Sequence, residues 1–461
     1  MEDKSIDVDT TERWFLFAPL VLLVFGWFQL NLLLLGYNTS ILSVLILLPL
    51  SYFIVDRIAP KAISKTNLSR RVLLILVVTV SLCELIRPAT SYPVHYDAAY
   101  HILQGATYAD ILDIDAFSNR IFRPPLLPTL LSTTLVFDES GSVSLLLMRV
   151  IVLLFGLQTY VLAKKLGAST TSATVFAVAA ITSPAVIDWG ARYYHGVFAA
   201  MLATMVMNLL LSLDWKKCSS VLMLVIGFSS GGVALARYSF SYLLGVVGFS
   251  GLMSKKIQPM IWFILGWSLA VLPFMLNDWM EMGDLLASLR PQIGAPVDRA
   301  LDPVVGVGWS AEKFPILGYL DIRLGLLSDG IWWLCLGGIG LLLWGKKWKE
   351  LAVISAISVP HIMIYSLLLG YGEVRYMLLL IPLGCALAAL FFDPVLYWVN
   401  QLIYPQPDSL ETPTSIDVKK DGWQPFSQYQ SELGVRPTLS FMVVLLFVFA
   451  PFANHLYDTY D

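Results

Sequence analysis

The chain has 461 residues, 57% of them hydrophobic and only 14% charged, where a soluble domain carries about a quarter charged. With a mean hydropathy of +0.72, this composition excludes a soluble globular protein and reads as an integral membrane protein. The net charge of −3 is too small to argue for a nucleic-acid partner.

A membrane-crossing helix needs about 20 apolar residues. By that measure spans are predicted near 14–36, 38–56, 71–87, 142–163, 168–187, 196–213, 218–235, 238–253, 257–276, 330–345, 350–370, 375–399 and 439–456. The expectation is therefore an all-α polytopic membrane protein of about 13 transmembrane helices. The first apolar run follows an acidic tail and is long enough to cross, so it reads as a retained helix and not as a cleavable signal. Cys83, Cys218, Cys335 and Cys385 fall inside apolar runs without metal spacing and read as small hydrophobes.

Charge orients these spans. Lysine and arginine collect on cytoplasmic loops. Arg57, Lys61, Lys65, Arg70 and Arg71, then Lys164-Lys165, Lys216-Lys217, Lys255-Lys256 and Lys346-Lys347, all fall on one side if the N-terminus is cytoplasmic. Thirteen spans then place the C-terminus outside. The opposite face carries arginines instead: Arg87, Arg120, Arg123, Arg192, Arg237, Arg290, Arg299, Arg323 and Arg375. Interfacial arginines often snorkel to lipid headgroups. Taken as a set, they suit an anionic ligand, because a guanidinium binds phosphate through a planar fork.

Two outer loops, 88–141 and 277–329, are the polar stretches of that face. The first contains 124–137, apolar but too short to cross, which reads as an interfacial helix opened by Pro124-Pro125. The stretch 401–438 is rich in Pro, Ser, Gln and acid and reads as a cytoplasmic linker. The resulting division is a tail and extra hairpin (1–70), a main module (71–400), the linker (401–438), and a last helix with an outer tail (439–461). No internal repeat suggests the inverted halves of a transporter.

Five constellations carry candidate chemistry. In the first loop Asp97 is flanked by Tyr96, Tyr100 and His101, and in a helix Asp97, Tyr100 and His101 share a face. Such an acid serves as a general base toward a hydroxyl, or else caps the helix that follows. Arg123 precedes the two prolines at the membrane surface. Arg149 lies within a span, where it costs a few kcal/mol unless paired. It therefore pairs with an outer-loop acid or faces a polar cavity. Asp188 and His195 bracket a polar, aromatic turn, equally readable as an interfacial aromatic belt. Glu373, Arg375 and Tyr376 stand at the mouth of a late span, and Arg237 stands at a turn between two others. Apart from Arg149 and Arg237, the spans read as free of charge, which disfavours an ion or solute path.

The order of these motifs carries a resemblance. Tyr96-Asp97-Ala98-Ala99-Tyr100 precedes Arg123-Pro124-Pro125-Leu126, then Leu147-Met148-Arg149-Val150, Ser183-Pro184, Ala236-Arg237-Tyr238, Pro273 to Asn277 with Gly283-Asp284, and Arg375-Tyr376 before Ile381-Pro382. This order, over residues 71–400, resembles the GT-C glycosyltransferases, in particular the protein O-mannosyltransferase and lipid A aminoarabinose transferase group. The resemblance implies a polyprenyl- or dolichyl-phosphate sugar donor and an inverting single displacement on the extracytoplasmic face. It implies Asp97 as the acid that activates or orients the acceptor hydroxyl, and Arg123, Arg375 and Tyr376 at the donor phosphate. Tyr96, Tyr100, His101, Arg149, Asp188, His195, Arg237 and Glu373 are the supporting candidates. Ala98 stands where the family often has a second acid after the first. A later acid of the family is matched here only by His195 or the less well placed Asp188. The absence of a Trp-Trp-Asp motif and of a large outer domain argues against transfer of a whole glycan. The implied acceptor is a lipid-linked glycan, a lipid or a protein hydroxyl. A divalent cation at Asp97 stays an open alternative, a lone carboxylate being a poor site. The alternative from another class is a transporter or flippase for a lipid-linked or anionic solute.

Overall fold

The computed structural model describes residues 10–58, 70–86, 96–112, 124–190, 192–215, 219–246, 248–249, 254–288, 326–364 and 374–403. The described residues are helical, with no strand among them. In chain order the helices are α1 (Thr10–Leu34), α2 (Ile41–Ile58), α3 (Arg70–Ile86), α4 (Tyr96–Tyr108), α5 (Leu126–Leu135), α6 (Ser142–Leu166), α7 (Thr170–Ile181), α8 (Pro184–Gly190), α9 (His195–Ser212), α10 (Ser220–Ala236), α11 (Gln258–Met282), α12 (Asp329–Trp344), α13 (Trp348–Met363) and α14 (Leu380–Ile403). Two short 3-10 helices cover Tyr238–Gly245 and Val374–Tyr376.

Among the described residues, five helices are long and apolar enough to cross a membrane. They lie in α1, α6, α9, α11 and α14, and α7 with α8 makes a sixth, bent span. The bend of 55° falls at Thr182-Ser183 ahead of Pro184, where proline cannot donate the helical hydrogen bond. The predicted span 168–187 is this broken pair. The predicted last span, 439–456, and the linker lie outside the described residues.

The core is built on α6, α7, α9 and α14, with Phe155, Tyr160, Phe176, Phe198 and Phe392 fully enclosed. Asp393 of α14 ties this core to the start of α7, accepting from the backbone N–H and the hydroxyl of Ser169, both at 2.7 Å. The outward faces are apolar instead of polar, with Leu42, Leu45, Leu74, Ile261 and Trp333 exposed. That pattern is expected where lipid replaces water as the surrounding solvent.

Small residues set the helix spacings, as they do where association lacks a hydrophobic drive. A Cβ on Gly266 would fall 2.1 Å from the Leu224 carbonyl oxygen, and one on Gly227 2.1 Å from that of Phe263. These contacts, with Gln258 bonded to Ser220 at 3.1 Å, show that α10 and α11 run parallel. The segment joining them therefore returns along the bundle. It does so through the 3-10 helix Tyr238–Gly245, where the hydropathy pattern predicts a regular span over 238–253. Composition alone does not distinguish the two, because both are apolar.

The short apolar stretch 124–137 is helical as predicted, in α5. It does not lie on a surface, however: Leu126 to Thr133 and Leu135 are all buried. A Cβ on Gly105 of α4 would fall 3.1 Å from both the Leu131 Cβ and the Pro128 carbonyl oxygen. One on Gly26 of α1 would fall 3.0 Å from Leu126 and 3.2 Å from Leu130. Thr39, in the α1–α2 turn, bonds Ser132 at 2.8 Å and donates its N–H to the Tyr108 carbonyl at 2.9 Å. The N-terminal hairpin thus holds the far end of α4 and the face of α5.

Candidate functional site

At one end of the bundle, segments far apart in the sequence converge on a cationic, aromatic cluster. The 3-10 helix Val374–Tyr376 supplies Arg375, which is 5% exposed. Its guanidinium lies 5.3 Å from the ring of Trp189, 5.6 Å from that of Tyr194 and 5.0 Å from that of Tyr376. Its Nη2 donates to the Tyr376 hydroxyl at 3.2 Å. Arg237, at the end of α10 and 4% exposed, lies 4.9 Å from the Tyr376 ring as well. Two guanidinium groups therefore share one phenol ring. Stacking suits arginine, whose flat, weakly hydrated cation sits well on an aromatic face.

The end of α8 and the turn after it provide a further wall. Trp189 and Tyr194 pack at 5.0 Å. Arg192 lies over Trp189 at 4.7 Å and pairs with Asp188 one turn back at 2.5 Å. Asp188 of α8 is thus tied, at i, i+4 spacing, to the turn that follows its helix. His195 opens α9 and meets His101 of α4, Nδ1 to Nε2, at 2.7 Å. Both rings are buried and pack against Tyr194. One imidazole of the pair donates and the other accepts. Tyr194 thus contacts both Arg375 and the histidine pair.

The helix predicted after the first-loop acid is present as α4. Tyr96 and Asp97 form its first turn, and positions 97, 100 and 101 fall on one side of it. The side chains of Tyr96 and Asp97 lie outside the described residues, as do Arg123 and Glu373. Tyr100 is described and half-buried.

Arg149 has a different partner from either one expected for it. It bonds Glu84 of α3 at 3.0 Å, with the two side chains 39% and 20% exposed. The spans are therefore not free of further charge. Glu84 stands in one, and its pairing with Arg149 joins α3 to α6 and removes Arg149 from the cluster.

The structure also brings in residues that the sequence reading passed over. His361 of α13 donates from Nε2 to the Tyr376 carbonyl at 3.0 Å and stacks on Phe240 at 4.9 Å. Its signal was available, since a histidine inside a membrane span deserves the scrutiny given to any intramembrane ionisable group. Asp278, near the C-terminal end of α11, is buried and accepts from the N–H and hydroxyl of Ser288, at 3.0 and 2.9 Å. Among the described residues no three His, Cys, Asp or Glu side chains gather into a metal-ligand group.

No protein-family model matches the sequence, and no curated relative matches it. Solved structures do. The oligosaccharyltransferase of Archaeoglobus fulgidus in its apo form aligns with 83% of this chain and 54% of its own, at 13% identity and a TM-score of 0.51. The chain adopts a GT-C-like fold. The same enzyme tethered to an acceptor peptide aligns over the same shares at 12% identity and a TM-score of 0.47. The chain spans about half the length of these structures.

Proposed function

We propose that the protein is an integral membrane glycosyltransferase that moves a single sugar from a polyprenyl- or dolichyl-phosphate carrier to a lipid-linked glycan, a lipid or a protein hydroxyl. The observation that carries this reading is the pair of buried guanidiniums, Arg237 and Arg375, set about the Tyr376 ring at the end of the bundle where α4 begins. The shared fold supports it. Chemistry on the extracytoplasmic face follows from the alternating lysine pairs, which put the opposite end of the helices in the cytoplasm. The same pairs support thirteen spans with the N-terminus inside.

In this scheme the donor phosphate lies against Arg375, with Tyr376 beside it and Arg123 approaching from the first loop. Asp97 takes the proton of the acceptor hydroxyl. The acceptor oxygen forms its bond to the anomeric carbon as the bond to the phosphate oxygen breaks, with inversion. The electron pair leaves on the lipid phosphate, whose growing charge the packed guanidinium of Arg375 stabilises. The proton transfer contributes about 10²–10⁴-fold. The lipid tail lies along the apolar spans.

The test is transfer from a radiolabelled polyprenyl-phosphate sugar to a membrane extract by purified wild type and Asp97→Asn. Label in a new product with wild type alone establishes the transferase and its acid. Equal transfer by both variants moves the acid elsewhere. Intact donor retained by both, without product, favours a carrier of lipid-linked solutes.

A further inference from the structure

We infer that His361 is a positioning residue, fixing together with Arg237 the turn that presents Arg375 and Tyr376. The value of that turn to catalysis rests on the phosphate reading above; the restraint itself does not. After the turn, the N–H groups of Leu380 and Ile381 bond the carbonyls of Met377 and Leu378 as α14 begins. The two preceding carbonyls are taken by side chains from other elements. Arg237 Nη1 donates to the Arg375 carbonyl at 3.2 Å. His361 Nε2 donates to the Tyr376 carbonyl at 3.0 Å.

A buried carbonyl needs a donor, and a three-residue 3-10 helix has few of its own. Consecutive carbonyls are therefore clamped from two directions, by the end of α10 and by α13. The clamp orients the guanidinium of Arg375 toward Trp189 and Tyr194. Because a carbonyl only accepts, Nε2 of His361 carries the proton, which fixes the tautomer. The ring itself is held by Phe240 at 4.9 Å and Tyr242 at 6.0 Å. Phe240 belongs to the 3-10 helix that starts after Arg237, and its N–H donates to the Arg237 carbonyl. Both donors of the clamp are thus referenced to one local frame. Arg237 accordingly holds the turn, and Arg375 is the cation presented to the ligand.

His361→Phe keeps a stacking ring and removes the donor, whereas His361→Gln keeps an amide donor. Two readouts on the full-length protein in detergent separate the clamp from the ligand. The first is hydrogen–deuterium exchange over residues 374–381. The second is binding of a short-chain polyprenyl monophosphate without sugar. For His361→Phe we expect exchange about tenfold faster and binding about tenfold weaker, the order of one lost buried hydrogen bond. His361→Gln should lie within about threefold of wild type in both. Unchanged exchange in His361→Phe overturns the inference. So does a Gln variant as impaired as the Phe variant while its melting temperature matches wild type. The exchange pattern as expected, with no binding by wild type, upholds the clamp and refutes the lipid-phosphate reading.

Discussion

Replacing Arg375 tests the proposed site most directly. Its guanidinium sits 5.0–5.6 Å from three ring centroids and is 5% exposed, so its position is set by packing and not by solvent. If it meets the donor phosphate, the contact is a charged hydrogen bond in a water-poor site, worth about 1.5–3 kcal/mol. At about 1.36 kcal/mol per tenfold, Arg375→Met should lower kcat/KM for sugar transfer about 10- to 150-fold. Arg375→Lys keeps the charge but loses the fork and the stacking, and should lose about tenfold. Phosphate charge grows as the sugar departs, so most of the loss should appear in kcat. The assay is initial-rate transfer over a series of donor concentrations, with thermal melting in detergent as the control for folding. Rates of Arg375→Lys and Arg375→Met within threefold of wild type would refute the reasoning.

Trp189 underlies both Arg192 and Arg375; Trp189→Leu removes cation–π contacts worth about 0.5–2 kcal/mol and should slow transfer about 2- to 30-fold in the same assay. Glu84→Gln and Arg149→Met each leave one charge of the α3–α6 pair without its mate. Each should lower the melting temperature, while the double variant recovers most of the loss; strictly additive losses would show that the pair is not coupled. Gly266→Ala places a methyl against the Leu224 carbonyl, which is backbone and cannot turn aside. It should destabilise by roughly 1–3 kcal/mol, read by chemical denaturation, and an unchanged midpoint would contradict the close approach of α10 and α11.

The sequence made some of this legible and hid the rest for physical reasons. Long apolar runs announce spans, and α1, α6, α9, α11 and α14 fall where hydropathy puts them. The same measure does not distinguish a regular helix from the 3-10 return at Tyr238–Gly245, because lipid or protein apolarity rewards either. It also does not tell an interfacial helix from a buried one. α5 reads as amphiphilic only in isolation, and it is enclosed because Gly26 and Gly105 let two neighbours approach it. Within the site, Arg237, Arg375, Tyr376 and His195 were each legible as polar residues at span ends or turns, and His101 as a neighbour of Asp97 in the first loop. Their convergence was not, since it depends on how distant helix ends meet. His361 was missed because it lies mid-run, where apolar neighbours conceal a lone imidazole. Glu84, near the end of its run, was hidden by its apolar neighbours, and with it the partner of Arg149.

The arrangement also ties the start of a short loop helix to an arginine nearly three hundred residues away in sequence. α4 is fastened at two levels. Near its C-terminal end, Thr39 bonds the Tyr108 carbonyl and Gly105 seats against α5. One turn beyond Asp97, His101 bonds His195 at 2.7 Å. His195 follows Tyr194 directly, and the Tyr194 ring is a wall of the Arg375 site. The start of α4 is therefore referenced to the cationic cluster through one hydrogen bond and one ring. In the proposed reaction position 97 would then stand on a helix held by packing, the kind of support that holds catalytic geometry better than a loop does. On this argument the histidine pair acts through position. His101→Phe should slow transfer without changing the affinity for a lipid phosphate, whereas Arg375 variants should weaken both. If His101→Phe weakens lipid-phosphate binding as much as Arg375→Met does, the two halves of the site are not separable in this way.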